Sequence, residues 1–117
     1  MICLTIKPEP AELIADGIKR VENRTWGDRL PAGLLSQPIG IHHGGKHGAI
    51  IATARVVAIV TPEEAIAMLP DQEEYIHGPL CWILSDAQRI DPIPCKGNIG
   101  LWEYKGQGPT QRQRELF

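Results

Sequence analysis

Cysteine is scarce in this 117-residue sequence: Cys3, Cys81 and Cys95 are the only three, and no CxxC spacing links them. The odd number and the spacing argue against a disulfide framework and leave core or surface thiols as the expectation. Charge of one sign is not in excess either. A formal net charge of -2 and a pI near 6.1 give no global attraction to phosphate, so any contact with nucleic acid has to be local. No apolar run approaches membrane-spanning length, and Met1 leads straight into a short apolar strand with no charged n-region or apolar h-region. A cytoplasmic protein with no membrane partner is therefore expected. The sequence also lacks a P-loop, a GxGxxG string, a GxSxG elbow and any repeat at a solenoid period. Nucleotide hydrolysis by those devices is set aside.

What is present suits one domain over residues 1–105 and a flexible tail over 106–117, where Gly106, Gly108 and Pro109 form a linker. The informative stretch is Ala11 to Trp26. Pro10 can open a helix because its missing N–H is one the first turn does not use, and Leu13, Ile14 and Ile18 then form an apolar stripe. Gly17 can end that helix in the left-handed conformation, turning the chain into a strand from about Arg20. In that strand Arg20, Glu22, Arg24 and Trp26 share one face, with Val21, Asn23 and Thr25 on the other. Burying Glu22 or Arg24 unpaired would cost several kcal/mol. They must therefore sit in water as a solvated edge strand, pair with each other, or line a polar cavity.

The remaining elements read more simply. Ile2 to Lys7 alternates as a first strand. Gly27 to Gly33 is a loop in which Arg29 is a solvated charge. Gly40 to Lys46 is a short strand ending in a flexible turn. His42 and His43 point to opposite faces of it and cannot both face one metal. With His47 and His77 they form no Cys/His pair, so no metal and no cofactor is implied. Gly48 to Val60 is the longest strand, its even positions from Ile50 to Val60 wholly apolar. Thr61-Pro62-Glu63-Glu64 starts a helix that stops before Pro70. Leu80 to Ser85 is a strand that buries Trp82, Pro92, Pro94 and Gly97 shape a constrained loop, and Ile99 to Tyr104 is a last strand closed by Trp102.

The string Gly17-x-Lys19-x-x-Glu22-x-Arg24, after an apolar helix and a strand of the type Leu4-Thr5-Ile6-Lys7, resembles the signature of the ASCH domain family. The resemblance extends through Ile41-His42, Gly78-Pro79 to Trp82, and Gly97 to Trp102. It implies an α+β fold: a small PUA-like mixed β-barrel of about five to six strands with two or three short helices. It further implies a nucleoside- or RNA-binding cleft, with Lys19, Glu22, Arg24 and Trp26 as ligand contacts and His42 and Lys46 as further ones. Many similar sequences carry Gln-Pro-Trp before the first helix, where this chain has Pro8-Glu9-Pro10, so that Trp contact does not carry over.

Some ASCH proteins are amidohydrolases that remove the acetyl group of N4-acetylcytidine with a Lys, a Thr and a distant Glu, and others are reported as ribonucleases. By position the Lys is Lys19, but the Thr position holds Glu22. A carboxylate there could activate water as general base, with Lys19 polarising the carbonyl. The distant Glu has no clear counterpart, Glu73 and Glu74 being the nearest guesses. Separately, Gln113-x-x-Leu116-Phe117 resembles the pentapeptide that docks bacterial proteins on the sliding clamp, with Arg114 where Leu is usual. That tail would make the protein an adaptor.

Overall fold

The structure, a computed structural model, describes residues 1–25 and 30–106. Its elements in chain order are β1 (Ile2–Ile6), α1 (Pro8–Ala15), β2 (Val21–Arg24), β3 (Ile39–His43), β4 (Ala49–Val60), α2 (Pro62–Met68), a 3-10 turn (Pro70–Tyr75), β5 (Leu80–Pro94) and β6 (Leu101–Glu103). The six strands form one mixed sheet in the order β2-β5-β4-β3-β1-β6. Only β1 and β3 run parallel; the other neighbours are antiparallel. This is the expected α+β architecture, a PUA-like half-barrel with short helices. Among the described residues, no helix is long and apolar enough to cross a membrane.

Helix α1 opens at Pro8 rather than at Pro10, because Pro8 can take the first helical position equally well. Gly17 ends the helix as expected, at φ +75°, and the N–H groups of Ile18 and Lys19 both fold back onto the Leu13 carbonyl at 2.9 and 3.1 Å. The buried stripe is Ala11, Ile14 and Ala15, whereas Ile18 is exposed. The left-handed turn at Gly17 takes Ile18 off the helical face and turns Lys19 inward. Helix α2 starts at a capping box in which Thr61 Oγ1 accepts from the Glu64 N–H at 3.2 Å and the Glu64 carboxylate accepts from the Thr61 N–H at 3.3 Å.

The largest difference from what the sequence predicts is β5. It does not stop at Ser85 but continues to Pro94. Asp86, at φ 54°, and the register shift opposite Ala54 absorb an extra residue, so the strand bends instead of ending. A second shift between Ile50 and Ala52 admits Pro92 where no ladder hydrogen bond is required. The same shift breaks the alternation of β4. Ile50 packs with Cys3 and Ile93 on one side of the sheet, and Ile51 and Ala52 both enter the main core with Leu4, Ile14, Ile41 and Trp82 on the other. A third cluster, Val21, Ala65, Cys81 and Ile83, seats α2 on β2 and β5. Together these clusters hold β2, β1 and the β3–β4 turn in fixed relation.

Candidate functional site

The inward turn after Gly17 and the two-residue period of β2 converge on one carboxylate. Lys19 Nζ lies 3.0 Å from Glu22 Oε1, and Arg24 Nη2 lies 2.8 Å from Glu22 Oε2. Glu22 is only 7% exposed and Lys19 only 8%, so the solvated edge strand is ruled out even though β2 is an edge of the sheet among the described residues. Taking three charges out of water is tolerable because each carboxylate oxygen has its own cation. Arg20, on the same strand face, does not join them. It pairs instead with Asp71, while its backbone N–H donates to Gln72 Oε1 at 2.6 Å, tying the strand entry to the 3-10 turn.

Arg24 reaches across to β1. Its Nη2 also donates to the Thr5 carbonyl oxygen at 3.0 Å, whereas its Nε is buried with no hydrogen-bond partner among the described residues. A buried guanidinium N–H without an acceptor costs about 1–3 kcal/mol or more. Glu22 and Arg24, with Thr5, Ile6, Lys7 and Pro10, line a pocket of about 210 Å³. Lys19 is not on its wall but behind Glu22. Across the strand, Asn23 anchors β2 to the turn before β5: its Oδ1 accepts from the N–H groups of His77 and Gly78, both at 2.9 Å.

On the far side of Thr5 a second polar chain begins. Trp102 Nε1 donates to Thr5 Oγ1 at 2.8 Å, Thr5 Oγ1 lies 3.2 Å from His42 Nδ1, and His42 Nε2 lies 2.8 Å from the Cys95 carbonyl oxygen. A carbonyl only accepts, so Nε2 carries the proton. In the neutral imidazole Nδ1 then accepts the Thr5 hydroxyl proton, and every group in the chain is satisfied. His42 is 2% exposed and forms part of a floor, while Lys46 stands exposed on the turn above it. Burial pushes the Cys95 thiol up, which argues against a ready thiolate nucleophile here. Sequence reasoning did not single out Thr5 as a site residue. Its only signal is a hydroxyl on a strand face otherwise bearing Cys3 and Lys7.

A family model described as ASCH domain matches residues 4–94. The chain belongs to the ASCH domain family. Crystal structures of an ASCH protein from Zymomonas mobilis share the fold: the protein itself at TM-score 0.65 and 23% identity, covering 98% of this chain and 92% of that one, and one of its mutants at TM-score 0.66 and 24% identity, covering 98% and 94%. No curated protein matches the chain.

In this ASCH domain Gly17 makes the turn, Lys19 pairs with Glu22 from behind, and Glu22 and Arg24 line the pocket. Trp26 and the tail residues Gln113, Leu116 and Phe117 lie outside the described residues. Among the described residues, no three His, Cys, Asp or Glu side chains come together as metal ligands. Glu73 and Glu74 sit on the exposed side of the 3-10 turn and do not line the pocket.

Proposed function

We propose that this ASCH domain binds one base of a nucleoside or of single-stranded RNA in the pocket between β1 and β2. The observation that carries the reading is the Arg24 guanidinium paired with the Glu22 carboxylate at 2.8 Å, both residues lining the pocket. A fixed donor next to a fixed acceptor matches a base edge that presents a ring acceptor beside an exocyclic amine, as cytosine and adenine do. A pocket of about 210 Å³ falls below the roughly 300–1,000 Å³ that houses a drug-sized ligand, so it suits a single flat ring. Lys19 contributes by holding the Glu22 carboxylate in place from behind. Titration calorimetry with cytidine, adenosine, guanosine and uridine tests this. Cytidine and adenosine bind in preference to guanosine and uridine, and Arg24→Ala abolishes the heat while circular dichroism stays native. Equal binding by a folded Arg24→Ala protein would defeat the reading.

Hydrolysis is the second reading, favoured by the Glu22 carboxylate on the pocket wall, a group able to activate water as general base, with Lys19 holding it in place at 3.0 Å. Mass spectrometry of acylated nucleosides and short RNAs incubated with wild type and with Lys19→Ala decides between them. Turnover by wild type alone makes it a hydrolase; retention without turnover makes it a binding domain.

A further inference from the structure

Thr5 lines a second and larger cleft, of about 690 Å³, on the other side of β1 from the base pocket. Lys46 and His47 enter it from the β3–β4 turn, and Lys96 and Asn98 from the segment before β6; the walls otherwise include Gly44, Gly45, Gly48 and Gly97. Both lysines are exposed, and no carboxylate is among the described residues lining the cleft. In a chain of net charge -2, two cations facing one concavity without an acid make a local positive field against the overall sign. The floor is built in advance. His42 is pinned at both nitrogens, and a Cβ on Gly97 would stand 2.6 Å from His42 Nδ1, so only glycine lets the Lys96–Asn98 wall close onto that ring.

We propose, resting on the base-pocket reading above, that this cleft holds the phosphodiester adjoining the base seated at Glu22 and Arg24. The preferred ligand is then a single-stranded oligonucleotide rather than a free nucleoside. Three observations converge on this. The pocket of about 210 Å³ has no room for the backbone of its own ligand, and the space of about 690 Å³ beside it does. Thr5 joins the two: its carbonyl holds Arg24 in one and its hydroxyl holds His42 in the other. Lys46 and Lys96 supply the charge a phosphate requires with no carboxylate on the cleft walls, whereas the base pocket carries the Glu22 carboxylate, which a phosphate would be repelled by. Ile99, 99% exposed on the rim, offers an apolar contact to the next sugar or base.

Fluorescence anisotropy with a 5′-labelled, randomised single-stranded RNA octamer, titrated at several salt concentrations, tests the assignment. The proteins are wild type, Lys46→Ala/Lys96→Ala, Arg24→Ala, and Arg55→Ala/Lys105→Ala, which removes two exposed charges outside the cleft. The cleft variant binds about tenfold or more weakly, and its log–log salt slope flattens by about 0.7 for each phosphate it no longer neutralises. The control variant stays within about twofold of wild type. An unchanged affinity and slope in the cleft variant, or an equal loss in the control, overturns the phosphate site. The base-pocket reading survives that outcome if Arg24→Ala still weakens binding. Absence of saturable binding by wild type overturns both. A loss in the cleft variant with none in Arg24→Ala keeps the phosphate site and removes the base pocket beside it.

Discussion

Arg24 Nη2 donates to the backbone carbonyl of Thr5 at 3.0 Å while holding Glu22 Oε2 at 2.8 Å, so a single terminal nitrogen ties the edge strand β2 to β1. These two strands are not neighbours in the sheet, being separated by β5, β4 and β3. The contact therefore closes the curl of the half-barrel over its pocket.

Removing the carboxylate at the centre of this arrangement is expected to be costlier than removing either cation. Glu22→Gln leaves Lys19 and Arg24 buried beside a neutral amide and lowers stability by about 3–5 kcal/mol. Arg24→Ala leaves Glu22 its Lys19 partner and costs about 1–3 kcal/mol. Urea denaturation of the two variants and wild type measures the order. An equal or reversed ranking would show that Glu22 is not the centre of the charge cluster.

Thr5→Val keeps shape but leaves Trp102 Nε1 and His42 Nδ1 without the hydroxyl they share. The expected loss is about 1–3 kcal/mol, and Thr5→Ser restores most of it. If valine proves as stable as threonine in thermal melts, the hydroxyl chain contributes nothing.

Two glycines separate backbone strain from crowding. At Gly17, with φ +75°, an added Cβ would meet nothing within 4 Å, so Gly17→Ala costs about 1 kcal/mol through conformation alone. At Gly97 the added Cβ would stand 2.6 Å from His42 and 2.8 Å from Thr5 Oγ1. Gly97→Ala therefore costs about 1–3 kcal/mol by overpacking and broadens the His42 ring resonances in NMR spectra, which Gly17→Ala leaves sharp.

Burial pushes the Cys3 thiol up to about 11 from its ordinary value of 9.0. Between those values the unfolded chain ionises at Cys3 and the native chain does not, so the unfolded state binds fewer protons and stability falls as pH rises. The contribution is fully present below pH 9 and declines by at most about 2–3 kcal/mol towards pH 11. Urea midpoints of wild type and Cys3→Ala should converge or cross over that range. A constant difference would mean that Cys3 titrates alike in both states.

Much of the local architecture was legible in the residues alone. The turn at Gly17, the cap at Thr61, the shared face of Glu22 and Arg24 and the burial of Trp82 each follow from chemistry within a few positions, where period and capping act directly. Bulges were not legible: the bend at Asp86 and the shift after Ile50 depend on which strand lies opposite, and they carried β5 past its expected end. The ASCH string already pointed to Lys19, Glu22 and Arg24. Which cation would pair behind Glu22, Lys19 rather than Arg20, was decided by the left-handed turn together with the competing contacts of Arg20 to Asp71 and Gln72. Thr5, His42, Trp102 and the Lys46 and Lys96 walls came together only through sheet order. Thr5 lies 37 residues from His42 and 97 from Trp102 in the chain, and alternation along a strand specifies a face without specifying the neighbour that the face will meet.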